Sequence, residues 1–189
     1  MTVIAERTTQ AAPAPVSAIA PATAPATAET PPVANKLVIV AWSGELDKIW
    51  PTLILASTSA AMGQDTTVFF TFWGLFPLVK KDVRITGESW MQKMLSLMNR
   101  GGLGHLKLSK MHFAGAGPAM MRQLAKTHGL ASPEELFELA REAGVHLVPC
   151  QMTLDLLGIA PGDLVEGLEP PAGATTMLLS AQGAATLFI

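Results

Sequence analysis

The chain is short of three things, and each shortage removes a class of function. It has one cysteine in 189 residues, Cys150. One thiol rules out an intrachain disulfide framework and suits a reducing compartment. Charged residues make up only 15% of the chain, with a formal net charge of −2 and a pI near 6.1. That balance gives no overall basic field for nucleic acid or for an anionic membrane. Long apolar runs are also missing, although 49% of residues are hydrophobic. A bilayer span needs roughly 20 consecutive apolar residues. The best candidate, Val68 to Val79, is short and interrupted by Gly74 and Pro77. No signal peptide is visible, so the default expectation is a cytoplasmic protein without a membrane span. The surplus of apolar side chains is then expected at subunit contacts, in a homo-oligomer.

What is present falls into two parts. Residues 1–35 form a Pro/Ala/Thr-rich tract whose prolines block helix and sheet and whose side chains bury little. This predicts a disordered tail, followed by a single domain over residues 36–189. Lys36–Ala41 is a continuous apolar, β-branched run suited to a strand buried on both faces. A helix is expected from about Glu45 to Met62, with Pro51 marking its true start or a kink. A second buried strand follows over Thr66–Phe72. Met91–Arg100 reads as a short methionine-rich amphipathic helix. A further helix is expected over Ala119–His128. Its preceding Ala114-Gly115-Ala116-Gly117-Pro118 lacks the phosphate-loop spacing, so it is a helix-entry turn. Ser132-Pro133-Glu134-Glu135 has the pattern of a capped helix start, with the helix running to about Ala143. Then come a strand over His146–Val148, a short helix over Gln151–Leu157 stopped by Gly158, at most a short edge strand at Leu164–Gly167, a last helix over Thr175–Ala181 and a buried C-terminal strand over Ala185–Ile189. Alternating strands and helices define an α/β, three-layer fold with a mostly parallel sheet.

In such folds ligands bind beyond the carboxyl ends of the strands. Three loops fit that place: Trp42-Ser43-Gly44, Trp73-Gly74-Leu75 and Pro149-Cys150-Gln151. Cys150 sits where a strand runs into a helix. There the backbone N–H groups of Gln151, Met152 and Thr153 and the positive helix end would favour a thiolate. Cys150 is therefore the candidate catalytic residue, and Ser43, Gly44, Trp73, Gly74, Gln151, Met152 and Thr153 are candidate substrate-binding residues. A buried structural cysteine is the alternative. The four histidines lack zinc-site spacing, so no metal or other cofactor is expected.

Three blocks carry a resemblance. Lys36–Lys48, Thr71–Leu75 and above all Pro149-Cys150-Gln151-Met152-Thr153-Leu154-Asp155-Leu156-Leu157-Gly158-Ile159 resemble the DsrE/DsrF-like family, in its soluble DsrE-like branch often labelled peroxiredoxin-like. The resemblance implies a flavodoxin-like crossover topology and a cytoplasmic sulfur-trafficking protein, a sulfurtransferase or sulfur carrier, often a homo-oligomer. The family's working cysteine, matched by Cys150, would hold sulfur as persulfide or thiosulfonate. A TusA-like sulfur carrier, a rhodanese-like sulfurtransferase and a heterodisulfide-reductase-like system are the implied partners. The peroxiredoxin label fits poorly. A two-cysteine peroxidase cycle needs a second thiol that this chain lacks, which leaves only a one-cysteine peroxidase as an alternative. A non-catalytic oligomeric binding module is the other.

Overall fold

In the computed structural model the chain divides into Met1–Val33 and Ala34–Ile189. The described residues, 35–81, Val83, Trp90 and 101–189, lie in the second part. The expected tail, apart from Asn35, and the expected helix at Met91–Arg100 fall outside them.

Four parallel strands form one sheet in the order β3-β2-β1-β4: β1 Lys36–Ala41, β2 Asp65–Phe70, β3 His146–Pro149 and β4 Ala185–Phe188. The helices between them are α1 Leu46–Ala61, α2 Ala116–Thr127, α3 Pro133–Glu142, α4 Gln151–Leu157 and α5 Ala174–Ser180. This is an α/β fold with a parallel sheet.

Successive strand residues face opposite sides, and the two sides are filled very differently. Ile39, Ala41, Val68, Phe70 and Leu147 belong to the main core with Leu46, Ile49 and Leu53 of α1 and Leu136, Phe137 and Ala140 of α3. The α3 start is the capping box its sequence predicts: the Glu135 N–H donates to Ser132 Oγ at 3.2 Å, and the Ser132 N–H donates to Glu135 Oε2 at 2.7 Å. The other core is small. It consists of Val40, Phe69 and Cys150, with Val148, Ala172 and Met177 of α5 packed against it. No residue of α5 is itself buried.

Several boundaries differ from expectation. The β2 strand stops at Phe70 rather than Phe72, because Phe72 adopts φ +48° and turns the chain into a 3-10 segment over Phe72–Leu78. The left-handed region is costly for a bulky residue, so the turn ends the strand. The C-terminal strand was expected to be buried, yet all four β4 residues are exposed. It is the outermost strand and pairs only with β1. Leu164 makes a single antiparallel bridge to Val79 instead of an edge strand. The helix expected from Ala119 already begins at Ala116, since Pro118 in a first turn gives up no hydrogen bond. Pro51 lies within α1, which begins at Leu46. Among the described residues no helix is long and apolar enough to cross a membrane.

Candidate functional site

The site is built where β3 ends. Because Phe70 pairs with Pro149, the next step of the same register sets Thr71 opposite Cys150. The ladder continues to that point: the Cys150 N–H donates to the Phe70 carbonyl at 2.9 Å. Cys150 then serves as the N-cap of α4, its carbonyl accepting from the Thr153 and Leu154 N–H groups at 3.1 Å each. On the outer edge the Gln151 N–H donates to the Ala172 carbonyl at 3.0 Å, and Ala172 forms a parallel bridge with Cys150. The thiol is thus fixed on both sides and is only 7% exposed.

Burial alone would raise the thiol pKa, since the charged form loses water. Hydrogen bonds to the sulfur outweigh that effect. They come from the Thr153 hydroxyl and N–H, the Thr71 hydroxyl and the Met152 N–H, and they hold Cys150 below the ordinary thiol range. The two hydroxyls are themselves positioned. Thr153 Oγ1 lies 3.2 Å from Thr71 Oγ1 and accepts the Phe72 N–H at 3.1 Å. When Thr71 is the donor between the two hydroxyls, the Thr153 hydrogen is left for the sulfur. Phe72, whose N–H makes that bond, is itself left-handed, with φ +48°. Strain held at such a position is a common feature of functional sites.

The expected site residues separate into two groups. Met152 and Thr153 meet at Cys150, Met152 through its N–H while its side chain is exposed. Gln151 adjoins them, but its N–H is taken by Ala172 and its side chain donates to Asp155 at 2.8 Å. It does not contribute to the sulfur as the helix-end argument expects. Gly44 and Trp73 instead line a cavity of about 520 Å³ with Trp42, Phe76, His105 and His112. Cys150 does not line it. Both glycines permit close approach: a Cβ on Gly44 would sit 2.3 Å from the Trp73 carbonyl oxygen, and one on Gly74 would sit 2.1 Å from that of Ala41. Trp73 stacks on Phe76 with ring centroids 6.0 Å apart. Ser43 is buried and donates to Glu45 Oε2 at 3.1 Å, so it shapes the turn into α1. Sequence reasoning missed Thr71, Phe72 and Ala172. Thr71 reaches the cysteine through the β2–β3 register, which the sequence pattern does not supply.

Among the described residues no group of three or more His, Cys, Asp or Glu side chains is arranged to hold a metal ion. His146 is instead placed between carboxylates, with Nδ1 2.8 Å from Glu169 Oε1 and Nε2 3.6 Å from Asp65 Oδ1. That group lies at the amino end of the strands, away from Cys150.

The fold and site define a class: a parallel α/β protein with one hydrogen-bonded thiol at a strand-to-helix joint. The chain belongs to the DsrE/DsrF/DrsH-like family, whose model matches residues 33–188. Two curated relatives match along almost their whole length. One is the sulfur carrier protein DsrE2 of Allochromatium vinosum, 38% identical over 158 residues, covering 82% of this chain and 98% of that protein. The other is the uncharacterized protein YrkE of Bacillus subtilis, 36% identical over 155 residues, covering 82% of this chain and 97% of that protein. Among solved structures, the protein of unknown function MTH1491 from Methanobacterium thermoautotrophicum aligns with 82% of this chain and 98% of its own. Its TM-score is 0.44 and its identity 13%.

Proposed function

We propose that this protein is a sulfur-trafficking protein that carries sulfur on Cys150 and passes it to a partner thiol. The observation that carries the reading is the place of the chain's one thiol, Cys150, at the N-cap of α4, where strand pairing and the helix turn bring the Thr71 and Thr153 hydroxyls together, 3.2 Å apart. Family membership and the DsrE2 relative, named a sulfur carrier, support it.

In uptake, the Cys150 thiolate attacks the outer sulfur of a donor persulfide. A new S–S bond forms, the donor's S–S bond breaks and the donor leaves as its thiolate. With tetrathionate, attack on an inner sulfur leaves the thiosulfonate on Cys150 and expels thiosulfate. In delivery, a partner thiolate attacks the outer sulfur of the Cys150 persulfide and Cys150 departs as the thiolate. The same Thr153 and Thr71 hydroxyls that stabilise the thiolate at the start stabilise it again as leaving group. With no second cysteine in the chain, the adduct waits for another protein, which describes a carrier more than a turnover enzyme. A TusA-like carrier and a rhodanese-like sulfurtransferase are the partners of this reading, in the cytoplasm. A homo-oligomer is supported by the exposed Leu178, Leu179 and Phe188 on the thinly covered side of the sheet.

The test is intact mass after incubation with tetrathionate, polysulfide or thiosulfate. The wild type should gain sulfur-containing mass. The same gain on Cys150→Ala would refute the reading. A second reading draws on the 7% exposure of Cys150: a binding module whose cysteine is structural. It requires slow alkylation by iodoacetamide at neutral pH, and fast alkylation removes it.

A further inference from the structure

Sulfur delivery from Cys150 to another protein raises a question of access. The partner's thiolate has to reach the sulfur along the axis of the S–S bond it breaks, which needs open space there. Yet Cys150 is 7% exposed. Part of its cover has to leave, and hydrogen bonding decides which part leaves at the least cost.

Most of the cover is tied down. The Cys150 N–H is held by Phe70, and α4 starts from the cysteine itself. Glu169–Ala172 runs along β3 and is fastened to it. The Glu169 N–H donates to the Leu147 carbonyl at 2.9 Å, and the Ala172 N–H donates to that of Pro149 at 3.0 Å. Beyond Ala172 the fastening stops. The backbone hydrogen bonds of residues 174–183 stay within residues 173–184. Among the described residues, no side-chain hydrogen bond or ion pair joins that stretch to the rest of the chain.

Its helix, α5, buries none of its residues. A cleft of about 370 Å³ lies between it and the sheet, walled by Thr176 and Ser180 of the helix and by Lys36, Thr67 and Val148 of the strands. What holds α5 down is Met177, which packs against the small core of Val40, Phe69 and Cys150. A helix of two turns has little stability away from such packing, so it opens far more readily than the main core. Glycine stands at both ends. Gly173 caps the helix and Gly183, at φ +69°, follows it, and a Cβ on either would meet no atom within 4 Å. Unhindered glycines at element ends can take up the backbone rotation of a hinge.

We propose that residues 174–183 form a lid over Cys150, hinged at Gly173 and Gly183 and latched by Met177, which lifts to admit a partner thiol. Its purpose rests on the carrier reading, but its motion can be measured without sulfur. Closed, the lid keeps a sulfur adduct from stray thiols. Open, it clears the approach of a protein.

Alkylation kinetics and hydrogen exchange on the full-length protein test this. A thiol reached only through an opened state is protected equally against small and large reagents. A thiol reached through a fixed gap excludes the larger one. Relative to urea-unfolded protein, Cys150 should therefore show the same protection against iodoacetamide and fluorescein maleimide. Met177→Ala should raise both rates about tenfold through loss of a half-buried methionine, while Leu178→Ala, on the exposed side of the same helix, should leave them unchanged. Circular dichroism with thermal melting shows that each variant folds. In the wild type, the amides of residues 177–180 should exchange far faster than those in the middle of α1. No protection of the wild-type thiol, exclusion of the maleimide alone, unchanged rates in a folded Met177→Ala variant, or exchange over residues 177–180 as slow as in α1 would overturn the lid. None of these readouts depends on sulfur uptake, so intact mass after donor treatment tests the carrier reading separately.

Discussion

The two sides of the sheet divide the protein's work. On one side, α1 and α3 seal Ile39, Val68 and Leu147 into a core in which Leu46, Leu53, Ala56 and Ala140 have no exposure at all. On the other, Val40, Phe69 and Cys150 are covered by a seven-residue helix with no buried residue of its own. The first side holds the fold together. The second side is where the one thiol sits under light cover. On the proposed reading, a partner would reach the thiol from the thin side without disturbing the main core.

This contrast can be broken by mutation, and the largest effect belongs to the sealed side. Leu53→Ala should destabilise the protein by about 3 kcal/mol in urea unfolding, since the surrounding helices and sheet limit collapse into the cavity. Met177→Ala on the thin side should cost less than half as much. Equal losses would mean that the second side is as firmly packed as the first.

The next effect is chemical. Thr153→Val removes the hydroxyl that both bonds the sulfur and accepts the Phe72 N–H. Alkylation of Cys150 by iodoacetamide at neutral pH should slow by about tenfold, and stability should fall by about 1–2 kcal/mol as the Phe72 N–H loses its partner. Thr71→Val should slow alkylation by a smaller factor. No change in either variant would show that the hydroxyls do not tune the thiol.

A smaller effect follows from proton linkage. The folded-state pKa of Cys150 lies below the ordinary thiol value. In the window between that folded pKa and the unfolded value of about 8.5, the unfolded state binds more protons, so this group's contribution to stability rises with pH. It is complete above the unfolded pKa and is lost as pH falls through the folded one. Wild type minus Cys150→Ala, measured by urea unfolding across that window, should grow with pH. A flat or falling difference would contradict the lowered thiol. The smallest effect is structural: Ser132→Ala should cost about 1 kcal/mol through loss of the α3 capping box and leave alkylation unchanged.

Local signals were read well from the chain, and long-range ones were not. The β1 run, the α3 capping box and the Pro149-Cys150-Gln151 joint are each set by neighbouring residues and appear where expected. Thr71 and Ala172 were missed because they meet Cys150 only through strand pairing, whose register sequence periodicity does not supply. The β4 apolar run gave no hint that its strand lies on the sheet edge, because edge and centre differ in neighbours rather than in composition. Phe72 gave no warning of its left-handed turn, since glycine is the residue that normally marks one.

The central claim is that Cys150 holds transferable sulfur, and one two-step mass measurement addresses it directly. Protein treated with polysulfide and freed of excess donor is weighed intact, then weighed again after mixing with a reduced acceptor thiol protein. The account predicts sulfur added at Cys150 alone, lost from it in the second step and gained by the acceptor. Sulfur that never attaches, that attaches equally to Cys150→Ala, or that stays on Cys150 in the presence of every acceptor thiol would contradict it.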